Sequence, residues 1–133
     1  MLSGKDLWIS SHSQGLRLDI LDLNSNRFSR LDQSSLQNPI FDSDIFSILL
    51  DSQGNKWFGT ISGVYWIPKG KSEMEFFEPL SISFYYDILE DSQGNIWFAT
   101  VNNGLFKYHL GSKKIAHYLP EDGNLKSIPG NSI

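Results

Sequence analysis

Cysteine is absent from the 133-residue chain, which excludes disulfides, thiolate metal sites and a cysteine nucleophile. It does not settle the compartment. Positive charge is scarce. Eleven Lys and Arg stand against fifteen Asp and Glu, a net charge of -4. No basic field exists to hold a phosphate backbone, so nucleic acid is not an expected partner. Long apolar runs are missing too. Stretches such as Ile48-Leu49-Leu50 are a few residues long, far short of the ~18 a membrane helix needs, so no membrane contact is predicted. The opening Met1-Leu2-Ser3-Gly4-Lys5-Asp6 has no basic segment followed by an apolar one, and reads as lacking a signal peptide.

Histidine is rare as well. His12, His109 and His117 form no His-x-x-x-His or His-x-Glu pair, and neither a metal site nor a cofactor is predicted. No Gly-x-Ser-x-Gly elbow and no Gly-rich phosphate loop occur. No catalytic residue is assigned. Glu73, Glu75 and Glu78 alternate with apolar residues and read as a solvated edge, while a carboxylate pair for glycoside hydrolysis stays open.

What the chain does have is aromatic residues, 14% of the total, with eleven Gly to make turns. It also has a repeat. Asp51-Ser52-Gln53-Gly54-Asn55 recurs unchanged as Asp91-Ser92-Gln93-Gly94-Asn95, 40 residues later. Ile48-Leu49 and Ile88-Leu89 precede the copies; Trp57-Phe58-Gly59-Thr60 and Trp97-Phe98-Ala99-Thr100 follow them. A weaker copy begins at Leu7-Trp8-Ile9, where Trp8 lies 49 residues before Trp57. The excess fits a longer connection within Leu31 to Asp44.

Each unit reads as four short strands, and no window sustains a helical period. In the last unit these are Tyr85 to Glu90, Ile96 to Thr100, Leu105 to His109 and Lys114 to Tyr118. The second unit gives Ile45 to Leu50, Lys56 to Thr60, Val64 to Pro68 and Glu73 to Phe77. The first is predicted to lack its innermost strand, and Leu16 to Leu23 to carry a bulge or longer turn. Four strands per ~40 residues is the period of a β-propeller blade. The fold class is therefore all-β: three four-stranded antiparallel blades of a partial propeller, at about 3–31, 43–78 and 84–119, with 120–133 leading towards another strand.

Asp-Ser-Gln-Gly-Asn between strands is a hairpin turn. Gly54 and Gly94 supply positive φ, and Asp51 and Asp91 accept N–H bonds across the turn. A calcium loop is the alternative, but it needs more carboxylates and a distal Glu. Trp8, Trp57 and Trp97, one per blade in mid-strand, read as packing between blades rather than as ligand platforms. Thr60 and Thr100 are expected to bond to neighbouring strands or turns.

Ile88 to Phe106, and nearly as well Ile48 to Tyr65, resemble the two-component regulator propeller repeat: Ile-Leu-Glu-Asp-x-x-Gly-Asn-Ile-Trp-Phe-x-Thr-x-x-x-Gly-Leu. Leu7 to Leu16 resembles it weakly. Such repeats form the periplasmic sensor region of hybrid two-component histidine kinases of Bacteroides-type bacteria. The resemblance implies a non-catalytic module that senses a glycan-related ligand or acts as a scaffold. It also implies a periplasmic location and a longer parent with a membrane helix, kinase and receiver. The alternative is part of a propeller enzyme of the streptogramin-lyase kind, which needs His and Glu on one face.

Three blades cannot close a ring and would expose apolar flanks. A homo-oligomer is predicted, most sharply a dimer in which Ile128 to Ile133 supplies the missing inner strand of the partner's first blade. A ligand, an oligosaccharide in the parent, would meet one ring face, where the connections between blades and the turns between second and third strands gather. The candidates there are His12, Asp44, Tyr85, Asn102 and Asn103.

Overall fold

The computed structural model describes residues 1–11, 17–30 and 44–130. Alternating large apolar and polar residues punctuated by Gly favour short pleated strands, and twelve form. They are β1 (Leu2–Ser3), β2 (Asp6–Ser11), β3 (Arg17–Asp22), β4 (Arg27–Arg30), β5 (Ile45–Leu50), β6 (Lys56–Thr60), β7 (Gly63–Ile67), β8 (Glu75–Phe76), β9 (Tyr85–Glu90), β10 (Asn95–Thr100), β11 (Leu105–His109) and β12 (Ile115–Tyr118). They make three four-stranded antiparallel sheets, β1–β4, β5–β8 and β9–β12, each in chain order. The fold is that of three consecutive propeller blades.

Three details differ from the sequence expectation. The first blade has its inner strand: β1 pairs with β2 through Leu2↔Leu7 and Ser3↔Asp6. The Met1 ammonium and carbonyl extend that pairing to the Trp8 backbone at 2.9 and 2.7 Å. A two-residue strand carries too little pattern to read, and it fills the edge that the partner's Ile128 to Ile133 was predicted to occupy. Second, β3 holds no bulge; its register with β2 runs unbroken from Asp6↔Asp22 to Ser11↔Arg17. Third, the outer strand of the second blade shrinks to Glu75–Phe76, because Met74 and Phe77 on either side turn into the core.

The bulges lie in the inner strands instead. Pairing of β5 with β6 passes from Ile45↔Thr60 to Ser47↔Gly59, skipping Phe46. Pairing of β9 with β10 passes from Tyr85↔Thr100 to Asp87↔Ala99, skipping Tyr86. A bulge inserts one unpaired residue and bends the strand. Here the extra residue is aromatic in both blades.

Blades meet through a repeated contact. Trp8 of the first packs at 6.2 Å from Phe58 of the second. Trp57 of the second packs edge-on at 5.6 Å from Phe98 of the third, and at 5.8 Å from Tyr108. Trp57 also stacks on Trp66 and meets Phe77 within its own blade. Thus each Trp leans towards the following blade, and the residue after Trp leans towards the preceding one. Trp57 and Phe58 are fully buried because their blade has a neighbour on both sides. Trp97 is only half-buried, because no described blade follows it. At Gly59 the second and third blades approach closely: an added Cβ would lie 2.7 Å from the Tyr85 carbonyl oxygen.

Two substitutions measure this packing. Trp57→Ala should cost about 3–5 kcal/mol by emptying a filled site, and Trp97→Ala less than half as much. Gly59→Ala should cost about 1–3 kcal/mol by forcing the second and third blades apart. Urea midpoints of the three variants test the ordering; equal losses for Trp57→Ala and Trp97→Ala would show that the two indoles are equivalently packed.

Candidate functional site

The hairpins place the two ends of the blades in different chemical roles. At one end lie the turns between first and second strands, and they are self-satisfied. Asp51 Oδ1 accepts the backbone N–H of Gln53 and Asn55, while Oδ2 accepts the Asn55 amide and the Trp57 indole N–H, both at 2.8 Å. Asp91 repeats the arrangement with Gln93, Asn95 and Trp97. Gly54 and Gly94, at φ of 91° and 77°, close the turns. Four donors per carboxylate leave no free acceptor pattern for a cation. The indole and amide N–H donors hold the Asp91 carboxyl well below the usual carboxylate range.

The first blade departs from this scheme. Its hairpin is one residue shorter, and pairing places Ser3 where Asp51 and Asp91 stand. Trp8 Nε1 is buried and has no acceptor among the described residues, a state that costs about 1–3 kcal/mol.

At the opposite end lie the turns between second and third strands and the connections between blades. The hydroxyls of Thr60 and Thr100 are buried and donate to the carbonyls of Gly63 and Gly104 at 2.8 and 2.7 Å. They close the turns that hold Ile61 and Asn102. The Val101 N–H donates to the Phe84 carbonyl at 3.1 Å, which ties the turn of the third blade to the connection entering β9. Beside that junction Phe46 and Phe84 pack with ring centres 4.6 Å apart, and Tyr86 adds its edge to Phe84 at 6.5 Å. Phe46 is exposed, and Phe84 and Tyr86 are half-buried. Ile82 nearby is exposed. The two bulges are what aim Phe46 and Tyr86 out of the ladder.

Of the residues predicted from sequence, Tyr85 is a correction. It is fully buried against Phe98 and Phe106, and its hydroxyl donates to the Ser81 carbonyl at 2.8 Å. Burial pushes its phenol pKa up. It is a core residue, and Tyr86 is the one presented. Asn103 lies at the expected end but is tied down. Its N–H donates to Thr100 Oγ1, its amide donates to Ser81 Oγ at 3.0 Å, and its carbonyl accepts from His117 Nε2 at 2.7 Å. Asn102 beside it is exposed, and Asp44 directly precedes β5, half-buried. His12 lies outside the described residues. The other two histidines are engaged: His117 stacks on Phe106 at 3.9 Å, and His109 Nδ1 accepts the Ser112 N–H. An aromatic cluster flanked by amides and hydroxyls can stack on an apolar ring face and bond its hydroxyls.

Residues 79–102 match the family described as two component regulator propeller. This segment spans the entry to β9, the Asp91 turn and β10. No curated protein matches. Among solved structures, the chain is similar to the extracellular domain of the putative hybrid two component system BT4673 from B. thetaiotaomicron. Identity is 19% and the TM-score 0.60, over 99% of this chain and 23% of that one. It is also similar to PorZ, a surface component of the type-IX secretion system of Porphyromonas gingivalis, with 17% identity and a TM-score of 0.65 over 99% and 22%. A third is virginiamycin B lyase from Staphylococcus aureus, at 25% identity and a TM-score of 0.67 over 92% and 41%. The chain spans less than half the length of each.

The Asp91 turn carboxylate makes stability depend on acid. Asp91 has a depressed folded pKa, so its contribution is complete above the unfolded value near 4 and is lost as pH falls through the folded one. Urea midpoints should be level from about pH 7 to 5 and decline below about pH 4. Asp91→Asn should lower the neutral midpoint and shallow that decline; an unaltered acid limb would remove Asp91 from the account. Ser3→Asp should do the reverse at the first blade, offering Trp8 Nε1 an acceptor and raising stability by about 1 kcal/mol. A drop in the thermal midpoint would show that the short turn cannot bring the carboxylate round.

Proposed function

We propose that the chain is part of the extracytoplasmic sensor propeller of a hybrid two-component system, and that it binds rather than transforms its ligand. The observation that carries this reading is the match of residues 79–102 to the two component regulator propeller, on the unit whose Asp–Trp turn the preceding blade repeats. Extracellular domains of putative hybrid two component systems among the similar structures lend the same support. The ligand class that suits the aromatic end is a neutral oligosaccharide. Phe46, Phe84 and Tyr86 offer faces for stacking, and Asn102 offers an amide. In this reading the Asp51 and Asp91 turns are scaffold and the opposite end is the receptor surface.

A second reading, part of a lyase, is favoured by the similarity to virginiamycin B lyase, one form of which is described as catalytically inactive after a histidine-to-alanine change. Against it, His109 and His117 are both committed to local bonds.

Calorimetry with a panel of neutral oligosaccharides tests the sensor reading. Saturable binding is the expected result, with Tyr86→Ala and Asn102→Ala each weakening it about tenfold and leaving the fold intact by circular dichroism. Absence of binding across the panel, together with cleavage of quinupristin by the purified chain, would replace the sensor with the enzyme.

A further inference from the structure

A strand at the edge of a sheet exposes a row of unpaired N–H and C=O groups, and proteins blunt such edges with charge or brevity. The outer strands β4, β8 and β12 each lie at the end of their sheet, and they differ. β4 begins on Arg27 and ends on Arg30, so a second copy laid antiparallel to it would set arginine against arginine. β8 is two residues long, and its Glu75 holds the Lys71 ammonium at 3.0 Å. β12 has neither protection. Ile115-Ala116-His117-Tyr118 carries no carboxylate, ammonium or guanidinium, and Ile115, His117, Tyr118 and the following Leu119 are all exposed.

The backbone direction at this edge is set by its partner. The His109 N–H donates to the Lys114 carbonyl at 3.0 Å, and the register runs from Tyr108↔Ile115 to Leu105↔Tyr118. Hydrogen-bonded and non-bonded pairs alternate along an antiparallel ladder. Ala116 and Tyr118 therefore turn their backbone groups towards β11, while Ile115 and His117 turn theirs outwards. Leu119 continues the outward row. Pro120 has no N–H to offer, but it falls at an inward position and takes nothing from that row.

Charge is arranged end to end around the strand. Lys113 and Lys114 precede it, Glu121 and Asp122 follow it, and all four are exposed. A second copy laid parallel would set like charges together. Laid antiparallel about His117, it sets each basic end beside an acidic one. The same register places Ile115 opposite Leu119 of the other copy on one face, and Ala116 opposite Tyr118 on the other, pairs of apolar surface that a sheet rewards. Sliding by two residues would set Ile115 against His117 in one direction and against Glu121 in the other. We infer that the outer edge of β12 pairs with the same edge of a second copy, antiparallel about a two-fold axis at His117. The contact is self-complementary, as such an axis requires. It lies on the rim of the blade and uses none of the flank by which blades stack.

Sedimentation velocity from about 10 to about 500 µM should show a dimer forming with an affinity of about 100 µM. Lys113→Glu with Lys114→Glu makes both ends of the edge acidic, and Glu121→Lys with Asp122→Lys makes both basic. Each double variant alone should dimerise at least about tenfold more weakly. An equimolar mixture of the two should regain the lost association, since every acidic end then meets a basic one. Amide exchange of the unaltered chain supplies a second readout that stands whether or not a variant folds. The Ile115 and His117 amides should slow as concentration rises, while Ala116, bonded to β11, is slow throughout. A monomer across the whole range would overturn the inference. So would a mixture that associates no better than its components, or a dimer whose Ile115 and His117 amides exchange at the monomer's rate.

Discussion

The indole N–H that donates to the carboxylate of its own hairpin turn is the interaction on which these blades depend. Asp51 and Asp91 each draw in two backbone N–H groups, one amide and one indole. The turn therefore fixes the rotamer of a side chain six residues further along, on the strand that leaves the turn. A Trp held in that way presents a rigid ring to the next blade at little entropic cost. The turn, the strand register and the contact between blades are one cooperative device. The first blade shows what remains without it: Trp8 still packs on Phe58, but with its N–H orphaned.

Much of this was legible in the sequence because the device is local. Five identical residues recurring 40 apart announce the turn, and Trp at a set distance behind them announces the packing residue. The strands β5 to β7 and β9 to β11 lie within a residue of where alternation places them. The presented aromatic was not legible. Alternation along Phe84-Tyr85-Tyr86 does not say which ring is buried. A bulge shifts the side-chain phase by one residue, and nothing in a single strand announces it. Comparing the two copies offers a partial signal, since Phe46 and Tyr86 are both aromatic at one repeat position while their neighbours Ile45 and Tyr85 are merely large. The bond from Ser52 to Glu90 was equally hidden, since it joins residues 38 apart on different sheets.

The division of labour between the two ends follows from these constraints. At the Asp end the Asp51 and Asp91 carboxylates each hold four donors, so substitution there disturbs packing several residues away. At the other end Thr60 and Thr100 close the turns with one hydroxyl each. The residues between, Ile61-Ser62 in one blade and Val101-Asn102-Asn103 in the other, differ in number and character. Binding surfaces arise where a rigid frame carries short segments whose side chains can vary. Bulged residues vary in the same way, because a side chain that takes no part in the ladder can change without breaking a pair.

Gly59 and Ala99 hold corresponding positions in blades that otherwise share their turn, their Trp and their closing Thr. Near-identical units made on one chain can stack in the wrong order while folding, since each Trp would accept several similar partners. A missing methyl group in the middle blade admits the Tyr85 carbonyl to a depth that its counterpart forbids. One carbon atom thereby acts as an address, telling two look-alike sheets which neighbour each is meant to hold.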